Sequence, residues 1–144
     1  MQKDFQKWHI LKSDIEEFRH SPLFREREIW WCSLGANVGV EEDGKNDLFE
    51  RPVIIMRKFN SDMFWGIPAT LQQKEGIFYY NYTLLGRKQV ALISQVRILS
   101  GKRLIRRMGK LSKSQFRELR EATMGLLTKK ADPLRDPRVP IGNL

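Results

Sequence analysis

Two residues in this sequence, Arg51 and Thr70, suit a single piece of chemistry. Arg51 stands where an acidic, glycine-punctuated segment, Gly35 to Glu50, gives way to the apolar run Pro52-Val53-Ile54-Ile55-Met56. Thr70 closes another apolar run, Ile67-Pro68-Ala69-Thr70. A fixed guanidinium grips a phosphate through two parallel donors. A threonine hydroxyl beside it can donate to the same phosphate or orient an attacking hydroxyl. Together they fit work on a phosphodiester, provided both side chains meet at one solvent-accessible rim. Each also has a plainer use. Arg51 has Glu42, Asp43 and Glu50 as nearby acids, and an exposed pair of that kind contributes little. Thr70 can bond to backbone at a strand end.

The segment Lys102-Arg103-Leu104-Ile105-Arg106-Arg107-Met108-Gly109-Lys110 carries five cations and no acid. It reads either as a phosphate-tracking surface or as a solvated helical face. Phe64, Trp65, Phe78, Tyr79, Tyr80 and Tyr82 could stack unpaired bases. Strand alternation sends about half of them to the core.

Other chemistries lack their residues. The two histidines, His9 and His20, and the single cysteine, Cys32, do not make a zinc ligand set. No metal or cofactor is expected. There is no Walker loop and no Gly-x-Gly-x-x-Gly opening a helix. Cys32 lies in an apolar run with no basic neighbour in sequence, so it reads as a buried, inert thiol in a reducing cytoplasm. Met1-Gln2-Lys3-Asp4 has no signal-peptide character, and no apolar run is long enough to span a bilayer.

The 144 residues fit one domain. Net charge is +9, divided into −4 over residues 1–50 and +13 over residues 51–144. A basic half of that size points to a polyanionic partner.

The elements that must position these groups follow from periodicity. Phe5, Trp8, Leu11, Ile15 and Phe18 form one stripe of a helix over residues 3–20, stopped by Ser21-Pro22. Strands are predicted at 28–34, 52–58, 63–69 and 76–84. A longer one is predicted over 89–99, where Val90, Leu92, Ser94, Val96 and Ile98 alternate. Residues 102–108 read as a short helical turn. Ser112 and Gln115 have capping-box spacing, so a helix should run to about residue 129 and bury Phe116, Leu119, Thr123, Leu126 and Leu127. The proline-containing tail, 131–144, should be irregular. Strands of this number and length curl into a small antiparallel barrel with a helix at each end. The expected organisation is a helical extension at 1–22, a barrel domain at 23–129 and a tail at 130–144.

Between Arg27 and Leu127, several short pieces in order resemble the MazF/PemK family of toxin ribonucleases from bacterial toxin–antitoxin pairs. Glu28-Ile29-Trp30-Trp31 resembles the family's first strand, and Gly35 through Gly44, with Glu41, its first loop. Arg51-Pro52-Val53-Ile54-Ile55 is similar to its Arg-Pro strand signature, and Ile67-Pro68-Ala69-Thr70 to its Pro-x-Thr strand end. Ser94-Gln95-Val96-Arg97 resembles its Gln-x-Arg piece. Lys102-Arg103-Leu104 and Gly109-Lys110-Leu111-Ser112 resemble the connection into its last helix.

The resemblance implies a Src-homology-3-like barrel of the MazF/PemK/CcdB kind, acting as a cytoplasmic homodimer with RNA in an interfacial groove. It implies metal-independent, sequence-specific cleavage of single-stranded RNA by 2′-hydroxyl attack, and a cognate antitoxin as partner. On that basis Arg51 would stabilise the pentacoordinate phosphate and Thr70 would bind it. Glu41 is a possible general base, and Asn37, Lys45, Arg97, Lys102 and Arg103 would contact RNA. One subgroup of the family uses an Arg and an Asp on the long strand as acid and base. Leu92 and Ser94 occupy those places here, so that pair is missing. A non-catalytic nucleic-acid- or protein-binding barrel, or a gyrase-directed toxin resembling CcdB, are the alternatives.

Overall fold

The fold, from a computed structural model that describes residues 2–128, is a curled antiparallel sheet with a helix at each end. In chain order the elements are α1 (Phe5–Phe18), β1 (Glu28–Ser33), β2 (Glu50–Lys58), β3 (Met63–Thr70), β4 (Tyr79–Leu84), β5 (Arg87–Leu92), β6 (Arg97–Ser100), β7 (Leu104–Lys110) and α2 (Lys113–Thr128). Neighbouring strands run β4-β5-β3-β2-β1-β7, and β6 also pairs with β3. This is the mainly β half-barrel with terminal helices that the sequence implies. The tail at 131–144 lies outside the described residues. Among the described residues, no helix is long and apolar enough to cross a membrane.

β2 shows why the sheet curls around two cores. Ile54 packs into a cluster with Ile29, Ile67, Leu111, Phe116 and Leu119. Its neighbours Val53 and Ile55 point the other way, into a cluster with Phe24, Trp30, Cys32, Phe64 and Leu99. An unbroken apolar run is what a strand buried on both faces requires. Each such side chain contributes about 2 kcal/mol by leaving water.

α2 covers the first cluster. Its start is fixed by the expected reciprocal cap: Gln115 N donates to Ser112 Oγ at 3.1 Å, and Ser112 N donates to Gln115 Oε1 at 2.9 Å. Phe116 and Leu119 are buried, whereas Leu127 is exposed rather than buried. Leu127 lies in the last turn of α2, one residue from its end.

Two sequence expectations are corrected. The single strand over 89–99 is two strands separated by a 3₁₀ turn, Ile93–Gln95. Ala69 pairs with Ala91, but Gly66 pairs with Arg97. Three steps along β3 therefore answer six along its partner, and three residues are extruded. An odd insertion inverts side-chain parity. Val90 and Leu92 face inward, whereas Val96 and Ile98 are exposed and Leu99 is buried. The segment 102–108 is not helical beyond a 3₁₀ turn at Gly101–Arg103. It becomes β7, which pairs with the edge that β1 leaves open on the side away from β2.

α1 does not lie on the sheet face. Trp8 and Ile15 are buried against a small patch made by Ala36 and Phe49. That patch covers only the middle of the helical stripe, so Phe5 and Phe18 remain largely exposed.

Candidate functional site

The loop between β1 and β2 folds back over the first residues of β2, where Arg51 stands. Its base is closed by Lys45 and Glu50, whose backbones exchange two hydrogen bonds. Its top is organised by Asn37, which donates through Nδ2 to Leu34 O at 3.3 Å and Glu42 O at 2.8 Å, and through its backbone N to Asp43 Oδ1 at 2.6 Å.

Every nitrogen of the Arg51 guanidinium has a partner. Nε donates to Asp43 O at 2.5 Å, and Nη1 donates to Ala69 O at 3.4 Å. Nη2 lies 2.8 Å from Glu42 Oε1. The Ala69 contact brings the guanidinium beside Thr70. The β2–β3 register agrees: Val53 faces Pro68, so two more residues bring Arg51 level with Thr70. Thr70 is half-buried, and its Oγ1 accepts from Gln72 N at 3.2 Å. Its hydroxyl hydrogen is left to donate elsewhere.

The expected solvent-open guanidinium is not what this conformation presents. The Arg51 side chain is only 9% exposed, because Glu42 and the loop backbone close over it. Of the three nearby acids, Glu42 takes the pair, Asp43 contributes its carbonyl, and Glu50 turns to Arg106.

A cleft of about 340 Å³ opens next to this arrangement, lined in part by Asn37, Glu41, Glu42, Pro68, Gln95 and Arg97. Glu41 is exposed there, with Oε1 accepting from Val38 N at 3.0 Å. Arg97 is partly buried at its edge. Lys45 is exposed at the loop base, outside the cleft lining. Gln95 is a residue that sequence reasoning passed over. Its Oε1 accepts from Glu42 N at 3.1 Å and its Nε2 donates to Val40 O at 2.9 Å, so it pins the loop from the β6 side. Its place inside the Ser94-Gln95-Val96-Arg97 piece was the available signal. Leu92 is buried and Ser94 lines the cleft.

The basic segment is mostly engaged within the chain. Lys102 Nζ donates to Glu16 O at 2.9 Å, and Arg103 Nη1 donates to Ser33 O and Leu34 O at 3.2 and 3.3 Å. Arg103 also lies over the Trp8 ring, and burial lowers its pKa. Arg106 makes two bonds to the buried Glu50 carboxylate, at 3.1 and 3.3 Å, and stacks over Trp31. Arg107 Nε lies 3.4 Å from the buried Glu28. Lys102 therefore ties the start of β7 to α1, and Arg103 ties it to Trp8 and to the end of β1.

Cys32 is fully buried and its thiol is pushed up to about 12. Burial outweighs the opposing pull of Arg103, Arg97 and Arg19, basic groups that sequence proximity did not reveal. Among the described residues, no group of three or more His, Cys, Asp or Glu is placed to hold a metal.

Residues 25–127 match the family described as PemK-like, MazF-like toxin of type II toxin–antitoxin system. Among solved structures, the chain is similar to MazF (Form-I) from Deinococcus radiodurans, with TM-score 0.59 and 18% identity over 76% of this chain and 99% of that one. It is also similar to a structure described as an endoribonuclease from a mycobacterial species, with TM-score 0.56 and 12% identity over 81% and 100%. A third is the MazE–MazF (Form-II) structure from Deinococcus radiodurans, with TM-score 0.52 and 16% identity over 77% and 99%. At these identities the structures speak for the fold. No significant match was found among curated proteins.

Proposed function

We propose a function from one premise: this chain belongs to the PemK-like, MazF-like toxins of type II toxin–antitoxin systems. The protein is an endoribonuclease that cleaves single-stranded RNA. A ribose 2′-hydroxyl attacks the adjacent phosphorus, the bond to the 5′-oxygen breaks, that oxygen takes a proton from solvent, and a 2′,3′-cyclic phosphate and a 5′-hydroxyl result. Arg51 carries the electrostatic work by facing the charge that develops on the phosphoryl oxygens. Thr70 donates its free hydroxyl hydrogen to the same group and helps hold it in line. Of the two cleft carboxylates, Glu42 is the one in contact with Arg51. Once displaced from the guanidinium it takes the 2′-hydroxyl proton, and Glu41, also in the cleft lining, is the alternative base. Asn37 and Arg97 at the cleft, and Lys45 on the loop, lie where flanking nucleotides would pass. No metal is needed in this scheme.

The observation that carries this reading is the meeting of Arg51 and β3 at Ala69 O, with Thr70 next in line and the cleft alongside. Glu42 on the guanidinium adds support, since a site that seats one anion at 2.8 Å is shaped for another. The active species is a homodimer, and a cognate antitoxin covers the RNA path with an acidic segment. We assign its partner surfaces to the exposed apolar residues Trp65, Ile98 and Met124, which line a second cleft of about 1160 Å³. The antitoxin reading draws on the MazE–MazF neighbour.

Purified protein should cleave a long single-stranded RNA at discrete sites in EDTA, with cyclic-phosphate ends. Thr70→Val should slow cleavage about a hundredfold, the low end of the cost of losing one transition-state donor, with RNA affinity little changed. Absence of cut ends, or cleavage that vanishes only on adding EDTA, would count against the scheme. The near-complete burial of Arg51 favours a second reading, in which it pins the loop and the barrel binds RNA without cutting it. RNA binding with no products from the wild-type chain would select that alternative.

A further inference from the structure

α1 precedes the family match at 25–127, yet its contacts converge on the loop that covers Arg51. Trp8 is buried over Gly35 and against Phe49, with ring centroids 5.5 Å apart. Gly35 has φ +96°, and a Cβ there would lie inside the Trp8 indole. Lys3 Nζ donates to Asn37 O at 2.6 Å and pairs with Asp43 Oδ2 at 3.0 Å. Lys7 pairs with Asp47. Asp43 is thus held by Lys3 through its side chain while its carbonyl accepts from Arg51 Nε.

These contacts grip one stretch, Gly35 to Phe49, at both its base and its top. Gln95 holds the same stretch from the other side. The backbone that carries Glu42 is held by Asn37 and Gln95, and α1 restrains that same stretch through Lys3. The cluster of Trp8, Ile15, Ala36 and Phe49 is separate from both barrel cores. α1 can therefore loosen without opening the sheet.

We propose that α1 is a clamp on the β1–β2 loop, with Lys3 and Trp8 as its grips, and that it sets how readily an RNA phosphate replaces Glu42 on Arg51. The proposal rests on the reading of Arg51 as a phosphate-binding group. It makes the N-terminal helix a determinant of substrate access rather than a packing accessory.

Full-length Lys3→Gln and Trp8→Ala variants test this with two measurements. Hydrogen exchange of residues 35–50 reads the loop, and steady-state cleavage of a single-stranded RNA reads access. Lys3→Gln should speed loop exchange and lower KM, each about threefold, the scale of a partly exposed pair, without raising kcat. Trp8→Ala should speed loop exchange by about tenfold or more while β2 and β3 stay protected. Lys3→Arg should restore the wild-type values. A helix that only stabilises the fold would lower kcat or the unfolding midpoint and leave KM in place. Unchanged loop exchange in both variants, or faster exchange with no fall in KM, overturns the clamp. If the wild-type chain proves unable to cut, anisotropy with a labelled single-stranded oligonucleotide replaces the kinetic arm. Tighter binding by Lys3→Gln then supports the clamp and unchanged binding overturns it, so its fate is separable from that of the ribonuclease reading.

Discussion

Replacing Arg51 with alanine should harm stability and chemistry by separate amounts that two assays can resolve. The guanidinium satisfies Asp43 O, Ala69 O and the Glu42 carboxylate. Hydrogen bonds to a charged group contribute about 1.5–3 kcal/mol each when one partner is left behind. The full sum does not apply here. Asp43 O sits on a loop that can turn to water, and the Glu42 side chain, already 27% exposed, regains hydration. Ala69 O, on β3 against the core, is the acceptor left stranded. We expect a net loss of roughly 3 kcal/mol, read by urea unfolding at 25 °C through tryptophan fluorescence. For a domain of this size that is a fall in Tm of about 10 °C. Loss of the preorganised donor should cost cleavage a further factor of about 10² to 10³, read with a quenched fluorescent RNA in EDTA. Adding Glu42→Gln to Arg51→Ala removes a carboxylate that is already hydrated, so it should move stability by less than about 0.5 kcal/mol and restore no activity. A stability loss under about 0.5 kcal/mol, or a double variant that cuts RNA, would refute the reasoning.

Two further outcomes follow from the same geometry. Gly35→Ala places a Cβ in the Trp8 indole at a left-handed φ, and should cost about 2–3 kcal/mol in unfolding free energy; an unchanged urea midpoint would show that Trp8 is not seated there. Stability should also fall in alkali. The folded Cys32 thiol titrates near 12 instead of its ordinary 9.0, so above pH 9 the unfolded chain sheds a proton that the folded chain keeps. The loss therefore grows from pH 9 toward 12, and burial of the Tyr82 and Tyr80 phenols, also raised, adds to it above their ordinary 10.0. Urea midpoints across that window check the sign, and Cys32→Ala should flatten the first part of the decline.

Local signals carried much of the fold. The run Val53-Ile54-Ile55 announces a strand buried on both faces, and Ser112 with Gln115 marks the start of α2 to the residue. What sequence could not reveal was set by partners distant along the chain. The alternation from Val90 to Ile98 looks continuous, because apolar residues keep the same spacing across the 3₁₀ turn although Val96 and Ile98 then face outward. Residues 104–110 became a strand because β1, some seventy positions earlier, offered an edge. At the site, Arg51 stands on β2 and Thr70 on the adjacent β3. Which carboxylate would meet the guanidinium depended on the path of the loop, which chose Glu42 over Asp43 and Glu50. The cations of 102–107 looked available only because Glu16, Glu28 and Glu50 lie far from them in sequence.

Those internal pairings change what the formal charge of +9 means for a polyanion. Arg106 and Arg107 are already matched to the buried carboxylates Glu50 and Glu28, and Lys102 and Arg103 to the chain itself. Ionic-strength dependence follows the number of counterions displaced from the nucleic acid, not the tally of basic residues. The net charge already counts those acids, so the pairings move the free positive charge off residues 102–107 without reducing it. These four cations would add little to the salt exponent of a bound strand, and its steepness would come from basic residues elsewhere on the chain.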